Sequence, residues 1–239
     1  MAKPRIGVLL CDHVPADLQA TSGGDYDLVY REMMLAAEPD LEVVVYPAVD
    51  GVLPESPNEC DGWIITGSHL SAYSDDAWVV ALREWLAEAA ASGTRIAGVC
   101  FGHQLVAEAL GGKVGRAERW KVGPQQTTVE PTPWFDGGEV RLNAMHRDVV
   151  TKLPPGGRVI ATGTTSEIPA YLVGDNVVCV QDHPEFNADY VRALIDKRLD
   201  RIDPDTVASA RDHLDSDITH GSLVGRWLVD FLLDRRRDN

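Results

Sequence analysis

The sequence predicts an α/β fold: an open, mostly parallel sheet flanked by helices, with an appended antiparallel portion and a C-terminal helical tail. Three observations predict it. From Arg5 to Leu110, short β-branched runs alternate with amphipathic stretches, which implies parallel strands with helices packed on both faces. Between Gly112 and Val180 the pattern changes to short strands separated by turn residues. After His183-Pro184-Glu185, helical periodicity takes over.

Arg5–Cys11 is a short apolar run ending at Asp12-His13, the pattern of a buried strand. Tyr26–Ala37 carries Leu28, Met33, Met34 and Ala37 at helical spacings, and Pro39 closes it. Leu41–Tyr46 reads as a second strand, and Asp61–Ser68 as a third that stops at Gly67. Asp75–Ala91 is an amphipathic helix opened by Asp75 and Asp76, with Trp78, Leu82, Trp85, Leu86 and Ala89 on one face. Arg95–Val99 is a fourth strand, followed by a helix over Gly102–Leu110 that Gly111-Gly112 ends. Short strands are expected at Gln125–Glu130, Glu139–Leu142, Arg158–Thr162, Ile168–Val173 and Asn176–Val180, with Gly174-Asp175-Asn176 as a hairpin turn. Helices are expected at Asp189–Leu199, Pro204–Asp215 and Ser222–Arg235. Leu223, Trp227, Phe231 and Leu232 predict that the last helix docks on the core. Arg235-Arg236-Arg237 reads as cations at a helix C-terminus, where the dipole favours them.

The 239 residues are 44% apolar and 25% charged, ordinary globular usage. They are read as a single domain over 1–239, with a core at 5–195 and a helical tail at 197–239. The balance of 22 basic against 37 acidic side chains gives a net charge of −15, which repels phosphate backbones and argues against nucleic-acid binding. The apolar runs fall far short of the ~20 residues a membrane helix needs, and the first is too short for a signal peptide. The four cysteines, Cys11, Cys60, Cys100 and Cys179, form no CxxC pair, so free thiols in the reducing cytoplasm are expected. No zinc spacing or phosphate-cradling loop stands out. Thr21-Ser22-Gly23-Gly24-Asp25 reads as a loop and helix cap, and neither metal nor cofactor is expected.

The sharpest chemical feature is Gly98-Val99-Cys100-Phe101-Gly102. A strand runs into Cys100 and a helix starts just after it, the strand–turn–helix logic of a nucleophile elbow with Cys in place of Ser. The thiol then sits at a helix N-terminus, where unpaired amides favour thiolate, and the Phe101 amide is placed to meet a developing oxyanion. On its own, Gly-x-Cys-x-Gly is equally well a buried strand end with an inert thiol. A nucleophile needs a base. Of the seven histidines, His13, His69, His103, His146, His183, His213 and His220, the strongest candidate is His183. It follows the strand Asn176–Val180, and Glu185, two residues on, points to the same side of an extended chain. That is the nucleophile–base–orienter pattern. His-Pro-Glu is weak alone and gains its value from the elbow.

Gly98-Val99-Cys100-Phe101-Gly102-His103-Gln104, followed by Val180-Gln181-Asp182-His183-Pro184-Glu185-Phe186, resembles the class I (triad-type) glutamine amidotransferase family. The likeness is strongest to the glutaminase part of GMP synthase and its free-standing relatives. Ile64-Ile65-Thr66-Gly67-Ser68, Leu110-Gly111-Gly112-Lys113-Val114 and Asn143-Ala144-Met145-His146-Arg147-Asp148-Val149 fall in the family's order. The resemblance spans roughly 5–195 and implies a flavodoxin-like sheet. It implies that Cys100 attacks the glutamine side-chain amide to form a γ-glutamyl thioester, that His183 moves the protons and that Glu185 orients it. It further implies that the Gly67 and Phe101 amides hold the oxyanion, while Gln104 and the Met145–Asp148 loop recognise the substrate's α-amino and α-carboxylate groups.

Three departures bear on this. The family's Gly-Gly-Pro loop is Thr66-Gly67-Ser68, its Ser-His-Gly-Asp is Met145-His146-Arg147-Asp148, and Asp182 precedes the histidine. Asp182 is either solvated or a second carboxylate raising the His183 pKa. Glutamine hydrolysis is therefore the leading expectation, and transfer of the ammonia would need a separate synthetase subunit. Cleavage of a γ-glutamyl compound of the glutathione type is the alternative. A non-catalytic protein on the same fold is the third reading, and a pocket closed by Arg147 would favour it.

Overall fold

The computed structural model describes residues 3–216 and 218–237, so the two ends of the expected 1–239 domain lie outside the described residues. Five strands are parallel: β1 (Arg5–Leu9), β2 (Glu42–Tyr46), β3 (Gly62–Ile65), β4 (Arg95–Val99) and β10 (Val177–Val180). The antiparallel β9 (Ala170–Val173) and β7 (Gly157–Val159) complete the sheet, in the order β2-β1-β3-β4-β10-β9-β7. The first five positions follow the flavodoxin-like arrangement, with β10 as fifth strand.

Alternate residues of each strand enter opposite layers, as a period of two requires. Ile6, Val8, Ile64, Val99 and Val178 pack with α2 (Tyr26–Ala37) and α7 (Gly221–Leu232). Leu9, Trp63, Ile65, Ile96 and Cys179 pack with α3 (Ala77–Ala91) and α4 (Phe101–Ala109). Burial on both faces explains why these strands read as unbroken apolar runs. Asp25 caps α2 by accepting the amides of Tyr26 and Val14, so the Thr21–Asp25 segment is the expected loop and cap, preceded by the short α1 (Gln19–Ser22). No helix among the described residues is long and apolar enough to cross a membrane.

The antiparallel portion differs from expectation in extent. β5 (Lys113–Val129) and β6 (Gly138–Lys152) form one long hairpin, joined by β8 (Ala161–Gly163). Only its distal half was legible. Near the site β5 loses register between Arg116 and Lys121, and this irregularity erases the alternation that marks a strand. The Met145–Asp148 segment, expected as a loop, is the middle of β6. Asn143 through His146 are all buried there, so no polar–apolar alternation survives. The single strand expected at Arg158–Thr162 is two, because the chain passes from one sheet to the other at the buried Ile160.

The tail forms α5 (Ala188–Asp196), α6 (Pro204–Ser216) and α7. Trp227, Phe231 and Leu232 are buried, as docking on the core requires, whereas Leu223 is exposed and the buried Leu228 takes its place on the docked face. α7 ends at Leu232, so the three arginines follow its last turn rather than standing in it, and the Arg235 amide bonds back to Asp230 O. Arg235 pairs with Glu38, Arg236 with Asp175 and Asp234, and Arg237 with Asp136. They fasten the chain end to α2, to the β9–β10 turn and to the β5–β6 connection. Phe231 meets Trp134 edge-on at 4.8 Å. Phe231→Ala should cost about 3–5 kcal/mol by leaving a cavity, read by urea denaturation as one transition common to tail and sheet.

Candidate active site

β3, β4 and β10 are neighbours in the sheet, and their carboxyl ends deliver Gly67, Cys100 and His183 side by side. Cys100 has φ 51° and ψ −102°, an unusual backbone for a side-chain-bearing residue. Its amide donates to Val180 O at 3.0 Å, and its carbonyl accepts the Gln104 amide at 3.1 Å. The flanking glycines are required by contact. A Cβ on Gly98 would lie 2.7 Å from the Gly102 backbone, and one on Gly102 would lie 2.5 Å from Ile65 O. Phe101 is the first residue of α4, so its amide has no acceptor within the helix.

His183 stands next to the Cys100 side chain, close enough for the thiol to act on the charge of the imidazole. Its Nδ1 lies 2.7 Å from Glu185 Oε1 and donates to that carboxylate. The Glu185 side chain is fully buried. Phe186 stacks on the imidazole with ring centroids 3.7 Å apart. On another side, the ring comes so near Gly67 that a Cβ there would be 2.9 Å from Cε1. Burial disfavours the imidazolium, yet Glu185 and Cys100 together outweigh it and raise the His183 pKa to about 10. Tyr30 of α2, 155 residues away in sequence, donates its hydroxyl to the same Glu185 oxygen at 2.9 Å. Sequence reading missed it; the only available signal was a tyrosine on a buried helix face, whose hydroxyl must find a partner.

The departures now have places. Thr66 accepts the Cys11 amide at 2.9 Å and donates to Gly67 O at 3.1 Å, so its hydroxyl holds the Gly67 turn. Asp182 is neither solvated nor a partner of His183. It accepts from Thr165 at 2.7 Å and lies 3.2 Å from His146 Nε2, on the opposite side of the extended chain. Arg147 does not close the site: Nε and Nη2 donate to Ala117 O and Glu118 O at 3.1 Å each. Gln104 sends its amide nitrogen to Asp148 O at 2.7 Å and Gln181 Oε1 at 3.4 Å, leaving its oxygen for a ligand. His103, driven down to about 3 by burial, is neutral and donates to Ile168 O. Cys100, Gln104, His146 and Asp148 line a pocket of about 430 Å³.

The class I glutamine amidotransferase family model matches residues 32–195. The chain belongs to this family. It is 34% identical over 169 residues to γ-glutamyl peptidase 4 of Arabidopsis thaliana, covering 64% of this chain and 66% of that one. It thus spans about two thirds of that relative's length. It is 41% identical over 97 residues to the glutamine-hydrolysing GMP synthase of Thermus thermophilus, covering 39% of this chain and 19% of that protein. In fold it is similar to a glutamine amidotransferase of Methylobacillus flagellatus, with a TM-score of 0.73 at 20% identity over 100% of this chain and 97% of the other.

Two outcomes follow from the geometry. Burial raises Cys60 to about 11 and Cys179 to about 12, and pushes Cys11 higher still. Iodoacetamide should therefore alkylate Cys100 ahead of the other three, as read by peptide mass mapping. The raised His183 pKa stabilises the folded chain fully below its ordinary value of 6.5, and that contribution fades as pH rises toward about 10. Thermal melts between about pH 6 and about pH 10 should show this alkaline loss in the wild type and a flatter profile in His183→Gln.

Proposed function

We propose that the protein hydrolyses γ-glutamyl amides through a thioester on Cys100, with glutamine the simplest substrate. The observation that carries this reading is the hydrogen-bonded line His183–Glu185–Tyr30, set next to Cys100 where that thiol lines the pocket. Cys100 Sγ, having given its proton to His183 Nε2, attacks the γ-carbonyl carbon. The oxyanion is received by the Gly67 and Phe101 amides. His183 returns the proton to the nitrogen as the C–N bond breaks, releasing ammonia or an amine and leaving the γ-glutamyl thioester. His183 then takes a proton from water, whose oxygen attacks the thioester, giving glutamate and the free thiol. Glu185 holds the ring's orientation and charge throughout.

The pocket volume favours a second reading, a γ-glutamyl peptidase. About 430 Å³ lies within the roughly 300–1,000 Å³ that accommodates drug-sized ligands, more than glutamine alone needs. The acyl half of the reaction is the same, and only the leaving amine grows. Plant relatives named γ-glutamyl peptidases support this reading, and the GMP synthase relative supports the first. Used in transfer, the ammonia would pass to a separate synthetase subunit. The four unpaired thiols suit a reducing compartment such as the cytoplasm.

Cys100→Ala should lower turnover by about three orders of magnitude or more, measured as ammonia from glutamine and free amine from γ-glutamyl dipeptides. Retained turnover with either substrate would dismiss the thioester route.

A further inference from the structure

Three nitrogens on residues that line the Cys100 pocket are buried and without a hydrogen-bond partner among the described residues: Trp120 Nε1, Arg198 Nη1 and His146 Nδ1. An indole N–H and a guanidinium can only donate. Buried donors left unpaired are costly, so they mark where the acceptors of a ligand belong. The charge distribution points the same way. The chain carries a net −15, yet Arg116, Arg147, Arg198 and Arg201 all line this pocket, against Asp148 and Asp200. Local cations of this kind draw an anion into a cleft that the rest of the surface would repel.

The arginines are not equivalent. Arg147 is committed to the Ala117 and Glu118 carbonyls, and so braces the irregular stretch of β5 that presents Trp120. Arg201 lies 3.8 Å from Asp200 at the exposed rim. Arg198 follows α5, outside the matched residues 32–195, and is half-buried. The other end of the pocket has different chemistry. Gln104 Oε1 and the Asp148 carboxylate are acceptors, suited to the ammonium of a γ-glutamyl head.

We propose that Trp120 and Arg198 form a subsite for a carboxylate on the leaving-amine side, so that the preferred substrate is a γ-glutamyl peptide ending in a free carboxylate. This rests on the γ-glutamyl reading above and deepens it. Ammonia leaving from glutamine has no group to fill the subsite, whereas a peptide terminus supplies acceptors for both donors. Arg147, which replaces the family's glycine, becomes a positioning residue: it holds the β5 backbone that places the indole.

The test compares γ-glutamylalanylglycine with its C-terminal amide, which differ by one charge. The wild type should favour the free carboxylate by about tenfold or more in kcat/KM, the scale of a charge-assisted hydrogen bond. Arg198→Met should collapse that preference toward unity, and Arg198→Lys should restore part of it. A preference near unity in the wild type, which needs no variant to fold, overturns the subsite. So does a preference that survives Arg198→Met, or an equal loss with both peptides, which would assign Arg198 to the glutamyl head. Calorimetric binding of γ-glutamylalanylglycine to Cys100→Ala keeps the subsite separate from the hydrolytic reading. Binding that falls about tenfold with the amide, a difference that Arg198→Met removes, upholds the subsite even if no peptide is cleaved. Equal binding of the two peptides, or none, overturns it.

Discussion

The structure depends on one strained residue. Cys100 turns the chain from β4 into α4 with a positive φ, a conformation costing about 1–3 kcal/mol that persists only where the surroundings over-determine it. Here they do. Val180 takes its amide, Gln104 donates to its carbonyl, and the two glycines let strand, turn and helix close without a side chain between them. Relax that turn and the sulfur swings away from the imidazole, the helix amide no longer faces the pocket, and the line through Glu185 to Tyr30 ends on nothing.

Sheet geometry supplies the rest. Neighbouring strands lie about 4.8 Å apart, so three adjacent strand ends can hold Gly67, Cys100 and His183 side by side without any long side chain. The imidazole is clamped between Phe186 and Gly67 and anchored by a fully buried carboxylate. Position and charge are set by packing, in a setting from which water is largely excluded and electrostatic interactions are strong.

Much of this was legible in the amino-acid order, for identifiable reasons. Strands buried on both faces read as apolar runs, α2 has the expected bounds although Leu28 of its expected face is exposed and Tyr26 and Tyr30 are buried instead, and the glycines around Cys100 mark a turn that only close approach explains. What was hidden required knowledge of the third dimension. Tyr30 is one aromatic on a buried helix face until α2 is laid against the His183 loop. The proximal half of the β5–β6 hairpin hides because polar residues are buried in it, His146 against Asp182 and Thr165, and because the bulge breaks its period. Asp182 was misjudged since a neighbour in sequence faces the other way in an extended chain. The tail arginines were credited to a helix that stops before them.

β10 is inserted between β4 and β9, late in the chain yet central in the sheet. It precedes His183 directly, and its Val180 carbonyl holds the Cys100 amide. On the proposed mechanism, closing the sheet and arming the sulfur are thus a single event. As a ribosome makes the chain, the thiol emerges some eighty residues before its imidazole, without that base beside it. If the proposal holds, an unfinished polypeptide is chemically mute, and reactivity arrives only with the strand that completes the architecture.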